Sequence, residues 1–241
     1  MRAPGPPDGA SGRGVVLWDF LGSMVDVIAK RASALPPGIC VKHVRGEVSR
    51  MRERFEALRM PIVLGHGDLK PSNVMATATG GAPTFIDFEL AGRHYRGYDL
   101  FKLFRTSGPM SRQNMRGFLV TYLDCIRRRE CKARGEADAP VEAASAEECL
   151  SPSDMLLLEE LQAETDAAEP LTWLEAAVFF QFAICYFPAE RQRWLPLAEQ
   201  RWRAYLDSAH IIDADGEATR ALVDARTRRV AAEQLAAAAS C

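Results

Sequence analysis

Residues 64–104 read LGHGDLKPSNVMATATGGAPTFIDFELAGRHYRGYDLFKLF. Within this stretch the period of the chain changes. Val74 and Met75 lead into Thr-Ala-Thr-Gly-Gly-Ala-Pro, and Thr84, Phe85 and Ile86 lead out again. Gly80 and Gly81 supply the positive backbone torsions a tight reversal needs, so the segment predicts a β-hairpin. Asp68 and Asn73 stand just before that reversal and Asp87 just after it. A hairpin between them would return Asp87 to the mouth of the loop that carries Asp68 and Asn73.

Phosphoryl transfer asks a protein mainly to position the acceptor hydroxyl and to set positive charge against the phosphates. A carboxylate within hydrogen-bond reach of the hydroxyl serves as base. Mg²⁺ takes hard oxygen ligands, typically a carboxylate and an amide carbonyl together with the phosphates. Asp68 is therefore the candidate base, and Asn73 with Asp87 the candidate magnesium ligands. Each residue also has a plainer reading. Asp68 and Asn73 are common turn residues beside a proline such as Pro71. Asp87 could cap a helix, and His66 could be a core histidine satisfied by backbone. Arg96 and Asp99 could form a surface ion pair of little consequence.

Taken together and in order, HGDLKPSN, IDFE and YRGYDL resemble the C-terminal lobe of the aminoglycoside-phosphotransferase-like kinases, and within them the choline/ethanolamine kinases. The resemblance covers about residues 48–126, with a weaker echo at 152–162 and 201–206. It implies ATP and Mg²⁺ as cofactors, a small amino alcohol as substrate, and a place in phospholipid head-group synthesis in the cytoplasm. Asp68 would be the catalytic base and His66 would brace its loop. Asn73 and Asp87 would bind magnesium, with Glu89 assisting at the metal or the acceptor. Arg96 and Asp99 would lock the loop from below. Lys70 departs from the choline-kinase pattern and is similar to the lysine of protein kinases that approaches the transferred phosphate; IDFE in place of DFG argues against a protein kinase.

Around this stretch the 241 residues read as mostly α with one small β-hairpin, and 48% hydrophobic residues suffice for a sizeable core. Helices are expected over 15–35, 45–59, 118–126, 154–165, 171–187 and 194–209, with Ile62-Val63-Leu64 as a short buried strand. Residues 1–14, rich in proline and glycine, read as a disordered leader and 15–212 as the helical lobe. Within that lobe the catalytic loop and metal hairpin span 62–105, and 130–153 form a surface loop or insertion. Residues 213–241 read as an alanine-rich tail, an exposed or frayed helix. The formal charge of −2 gives no bias towards nucleic acid. The basic run Arg127–Arg134 reads as a solvated helix face. Six cysteines without paired short spacing read as reduced thiols, with neither a zinc site nor a disulfide framework. The apolar run 171–187 is short for a bilayer and is interrupted by Glu175 and Gln181, so it reads as a core helix rather than a transmembrane segment.

A kinase of this kind also needs a glycine-rich strand-turn-strand over the phosphates and an anchoring lysine. Gly9, Gly12 and Gly14 lack a preceding strand, and Lys30 and Lys42 lack strand context. The sequence thus predicts a kinase-like C-terminal lobe without its nucleotide lobe, which could be supplied upstream. On the acceptor side, the acid that the family places after the YRGYD motif falls near Thr106, and its two late tryptophans fall near Gln181 and Ile184. Phe179, Phe180 and Phe182 read as core. The alternatives are an interaction module that has lost catalysis, or a kinase of another alcohol such as an aminoglycoside or a sugar.

Overall fold

The computed structural model describes residues 14–76, 81–134 and 150–239. The first two helices are α1 (Val16–Lys30) and α2 (Val41–Ala57). Leu17, Leu21, Met24, Val25 and Ile28 recur at helical spacing and are all buried, which is why 16–30 folds as an amphipathic helix. The helix ends at Arg31, whose guanidinium donates to the Cys185 carbonyl at 2.9 Å and so ties this end to the late core helix.

Four short strands follow: β1 (Ile62–Gly65), β2 (Val74–Met75), β3 (Thr84–Phe85) and β4 (Gly92–Tyr95). β2 and β3 form the expected antiparallel hairpin, with Val74 opposite Phe85. Gly80 of the reversal lies outside the described residues. β1 pairs antiparallel with β4, Ile62 opposite Tyr95 and Gly65 opposite Gly92. This second pair was not expected, because Gly-Arg-His-Tyr carries no apolar alternation. Nor is β1 buried as expected: Leu64 is 87% exposed. A two-stranded ribbon at the surface covers only one of its faces.

The remaining helices are α3 (Arg96–Thr106), α4 (Arg112–Arg134), α5 (Pro152–Ala167), α6 (Glu169–Tyr186), α7 (Arg191–Ser208) and α8 (Glu217–Ala239). A capping box between Ser151 and Asp154, with Pro152 in the first turn, starts α5. The apolar run expected to be a core helix is α6, whose Leu171, Leu174, Ala177, Val178 and Ile184 are fully buried. No single helix among the described residues is long and apolar enough to cross a membrane.

Two apolar clusters hold the body together. The larger joins α1, α2, α6, α7 and α8 with Tyr95 and Tyr98; the smaller joins Leu100 and Phe104 of α3 to Leu119, Val120 and Leu123 of α4 and Leu158 and Leu161 of α5. The alanine-rich segment forms α8 and packs on α5, burying Ala218, Leu222 and Ala225. Arg226 and Arg229 bind Glu160 from the same helix. Small side chains can line a close helix contact without producing a visible hydrophobic stripe, so the segment looked like a tail in the sequence.

Helix α3 sits close on α5 at Gly97, where an added Cβ would run into the Glu164 carbonyl and the Thr165 Cα. Gly97→Ala is therefore expected to push the helices apart and to cost roughly 1–3 kcal/mol. A denaturant midpoint unchanged from wild type would show that the contact yields freely. Because α3 also carries Asp99 and Lys102, the same shift reaches the site described next.

Candidate active site

The loop between β1 and β2 is held from beneath by Asp99, in the first turn of α3. Its carboxylate accepts the backbone N–H of His66 at 2.7 Å and that of Gly67 at 3.0 Å. Gly67 has φ +80°, and a Cβ there would strike the Leu90 carbonyl. Only glycine fits both the torsion and the space. The Asp68 N–H donates to His66 Nδ1 at 3.3 Å, so the ring donates through Nε2 to the Ile86 carbonyl at 2.9 Å. His66 thus links the loop to the residue before Asp87.

Asn73 is buried and donates through Nδ2 to the Asp68 carbonyl at 2.9 Å and to Asp68 Oδ2 at 3.1 Å. Its own carbonyl accepts the Ile86 N–H at 3.0 Å, which extends the hairpin register one step and sets Asp87 beside the loop. Asp87 adopts a left-handed conformation (φ 68°, ψ 55°) that aspartate tolerates better than most residues. It stands at the head of a short 3₁₀ turn, Phe88–Leu90, yet makes no side-chain cap bond, so the capping reading fails. Asp68, Lys70, Asp87 and Glu89 line one cavity of about 380 Å³.

Arg96 does not pair with Asp99. Its guanidinium makes a two-pronged contact, 2.7 and 2.9 Å, with Glu164 of α5. Glu164 is fully buried, and burial pushes its carboxyl up despite Arg96. Asp99 therefore holds the loop, while Arg96 fastens α3 to α5.

Lys102 was not anticipated. It lies one turn beyond Asp99, its side chain 4% exposed, and its ammonium reaches Asp68 Oδ1 at 2.8 Å and Glu175 Oε2 at 3.3 Å. Glu175 belongs to α6 and lines the cavity with Arg105, Thr106, Phe179, Phe180 and Arg201. The signal for both was a charge inside an apolar helical pattern: Lys102 within YDLFKLF, Glu175 within the apolar run 171–187. Phe179, read as core, is 39% exposed and faces the cavity with Phe180; Gln181 and Ile184 are fully buried and do not line it.

Burial is the largest single influence on the Asp68 carboxyl and raises it, but Lys102 and Lys70, the latter at 2.6 Å from Oδ2, together outweigh it, so Asp68 titrates below the ordinary carboxylate range. This pairing stabilises the fold above the unfolded aspartate's pKa, and the contribution is lost as pH falls through the lower folded value. Burial opposes the charge on Lys102, yet Glu175, Tyr98 and Asp68 together raise its pKa. Lys102→Met should raise the Asp68 pKa, read as a shift to higher pH in the NMR titration of its carboxyl. A titration in the same place would show that Lys102 does not set this ionisation.

Among the described residues no cluster of three or more His, Cys, Asp or Glu could hold a metal by itself. What is present, a carboxylate at Asp87, another at Glu89 and the amide oxygen of Asn73, is a hard-oxygen set. It suits magnesium completed by phosphate oxygens rather than an all-protein cage.

The sequence model of the choline/ethanolamine kinase family matches residues 10–137, more than half of the chain. The chain belongs to that family. An ethanolamine kinase of Drosophila melanogaster is 32% identical over an alignment of 92 residues that covers 35% of this chain and 18% of that relative. Among solved structures, a Plasmodium vivax ethanolamine kinase superposes with a TM-score of 0.56 at 18% identity, covering 80% of this chain and 50% of the other. A Cryptosporidium parvum choline kinase gives 0.53 at 13% identity, covering 84% and 59%. At such identities these likenesses establish a kinase-like fold. The chain spans about half the length of the choline/ethanolamine kinases whose structures it resembles, and under a fifth of the curated relative.

Proposed function

We propose that this chain is the C-terminal, phosphoryl-transferring lobe of an ATP- and magnesium-dependent kinase of a small amino alcohol, ethanolamine or choline, acting in phospholipid head-group synthesis in the cytoplasm. The observation that carries the reading is the single cavity shared by Asp68, Asp87 and Glu89 on one side and Glu175 on the other. It has a base, oxygen donors for a metal, and a carboxylate to receive an ammonium.

In this reading Asn73 and Asp87 would hold magnesium, with Glu89 assisting. Bound magnesium supplies positive charge against the transferring phosphates. Asp68 orients the acceptor hydroxyl and takes its proton through lone pairs left unused by Lys70, Lys102 and Asn73. A carboxylate of lowered pKa is a weak base, which suits a loose transition state in which the proton leaves late and positioning matters most. Lys70 stands beside Asp68, where its charge can meet the transferred phosphoryl group. Asp99 and His66 keep the loop in register.

The test is ADP release from Mg·ATP with ethanolamine, choline, an aminoglycoside and a sugar, run on the 241-residue chain and on the native protein from its source. Release stimulated by an amino alcohol, and abolished in Asp68→Asn, is the expected result. Stimulation by no alcohol in either preparation would overturn the reading in favour of an interaction module. A preference for the aminoglycoside or the sugar would keep the chemistry and change the acceptor.

A further inference from the structure

Two segments lead into the loop that carries Asp68. One is β1, which follows the end of α2, and the other is α3, whose first turn carries Asp99. The Arg96 N–H, at the start of α3, donates to the Pro61 carbonyl just ahead of β1 at 2.9 Å. Side chains from α5 and α8 fasten the same junction. Arg226 of α8 donates to the Leu58 and Arg59 carbonyls at the end of α2. Arg59 stands there with φ +48°, the left-handed conformation that glycine usually supplies after a helix. The same guanidinium donates to Glu160 Oε1 at 3.1 Å and stands 3.5 Å from Glu164 Oε1. That oxygen of the fully buried Glu164 has no hydrogen-bond partner and faces Arg226, while Oε2 takes both prongs of Arg96. The end of α2 and the start of α3 thus meet on one buried carboxylate, each through an arginine. Burial pushes the Glu164 carboxyl up, and Arg96 and Arg226 act against it. Taking Arg226 away leaves a buried charge half compensated, which weakens the hold of Glu164 on Arg96. Neither arginine lines the cavity of Asp68. What they fix is the spacing of the two segments between which the loop is strung.

We propose that Arg226 is a positioning residue of the candidate active site: by gripping the end of α2 and the Glu164–Arg96 pair together, α8 sets β1 against α3 and so holds the loop of Asp68 in register. On one side the contacts run from Arg226 through Glu164 and Arg96 to Asp99, whose carboxylate holds the His66 and Gly67 amides. On the other they run through Leu58 and Arg59 to the strand that leads into His66. The segment that reads in the sequence as a tail thereby acts on the site without touching it. Calling the loop catalytic rests on the kinase reading; the positioning of the loop does not.

Amide hydrogen exchange and the carboxyl titration of Asp68 are read by NMR on the full chain as wild type, Arg226→Gln, Arg226→Lys and Arg228→Gln. Arg228 pairs with Glu159 on the exposed side of the same helix and controls for the loss of one positive charge there. In Arg226→Gln the His66 and Gly67 amides should exchange about tenfold faster or more, while those of Leu174 and Val178 in the core of α6 change less than about threefold. The Asp68 titration should move up towards the ordinary carboxylate range as its contacts with Lys102 and Lys70 loosen. Arg226→Lys keeps a cation facing Glu164 but loses the fork that reaches several acceptors at once, so it should show the same two changes at smaller size. It decides the matter if Arg226→Gln does not fold. Arg228→Gln should leave both readouts as in wild type. Loop and core amides that speed up equally, with the Asp68 titration in place, would make Arg226 a general stabiliser and overturn the proposal. Unchanged loop amides in both Arg226 variants, or the same local speeding in Arg228→Gln, would overturn it too. Neither readout requires turnover. A failure of ADP release would therefore count against the kinase reading alone, and uniform exchange against the positioning alone.

Discussion

Asp68→Asn is expected to lower phosphoryl transfer by about a hundred- to ten-thousand-fold, the range usual for losing a positioned general base. The substitution keeps the size of the side chain and removes its ability to take a proton. The loop should persist, because Asn73 also donates to the Asp68 backbone carbonyl and Asp99 holds the preceding amides. Magnesium and nucleotide binding should consequently change far less than kcat, since the proposed metal ligands are Asn73 and Asp87. Steady-state kinetics with ADP release as readout would check the split. A variant within tenfold of wild type would mean that Asp68 is not the base.

Asp99→Ala should be the most damaging substitution for the fold of the site. It leaves the amides of His66 and Gly67 inside the protein without an acceptor, and each such donor costs about 1–3 kcal/mol. A total loss on the order of 2–5 kcal/mol is expected, with faster hydrogen exchange at those two amides. Asp99→Asn retains one acceptor oxygen and should fall between alanine and wild type. The surface ion pair with Arg96 considered from the sequence would predict at most about 1 kcal/mol. An effect that small, with protection of both amides unchanged, would return Asp99 to that lesser role.

These two substitutions fall where the sequence was most legible. Asp68, Asn73 and Asp87 lie within twenty residues of one another, and a single hairpin folds that distance back on itself. Local chemistry, a pair of glycines and a proline, was enough to place them together. The helical runs were legible for the same reason: Leu17, Leu21, Met24 and Ile28 recur at helical spacing whatever they pack against. The sequence by itself therefore determined the helical body, the hairpin, and the loop that gathers Asp68, Asn73 and Asp87. The pairing of β1 with β4 was decided only in the folded chain, because no side-chain pattern in Gly-Arg-His-Tyr marks a strand and its register comes from the partner. The destination of Arg96 was decided there too, since Glu164 lies 68 positions away and reaches it only through the α3–α5 contact. The same holds for the acceptor side of the cavity. Lys102, Arg105, Glu175 and Arg201 come from three helices, and which way a charged side chain turns on a helix depends on what packs against it. A lone lysine or glutamate in an apolar run signals an inward charge; only tertiary packing supplies its counter-ion.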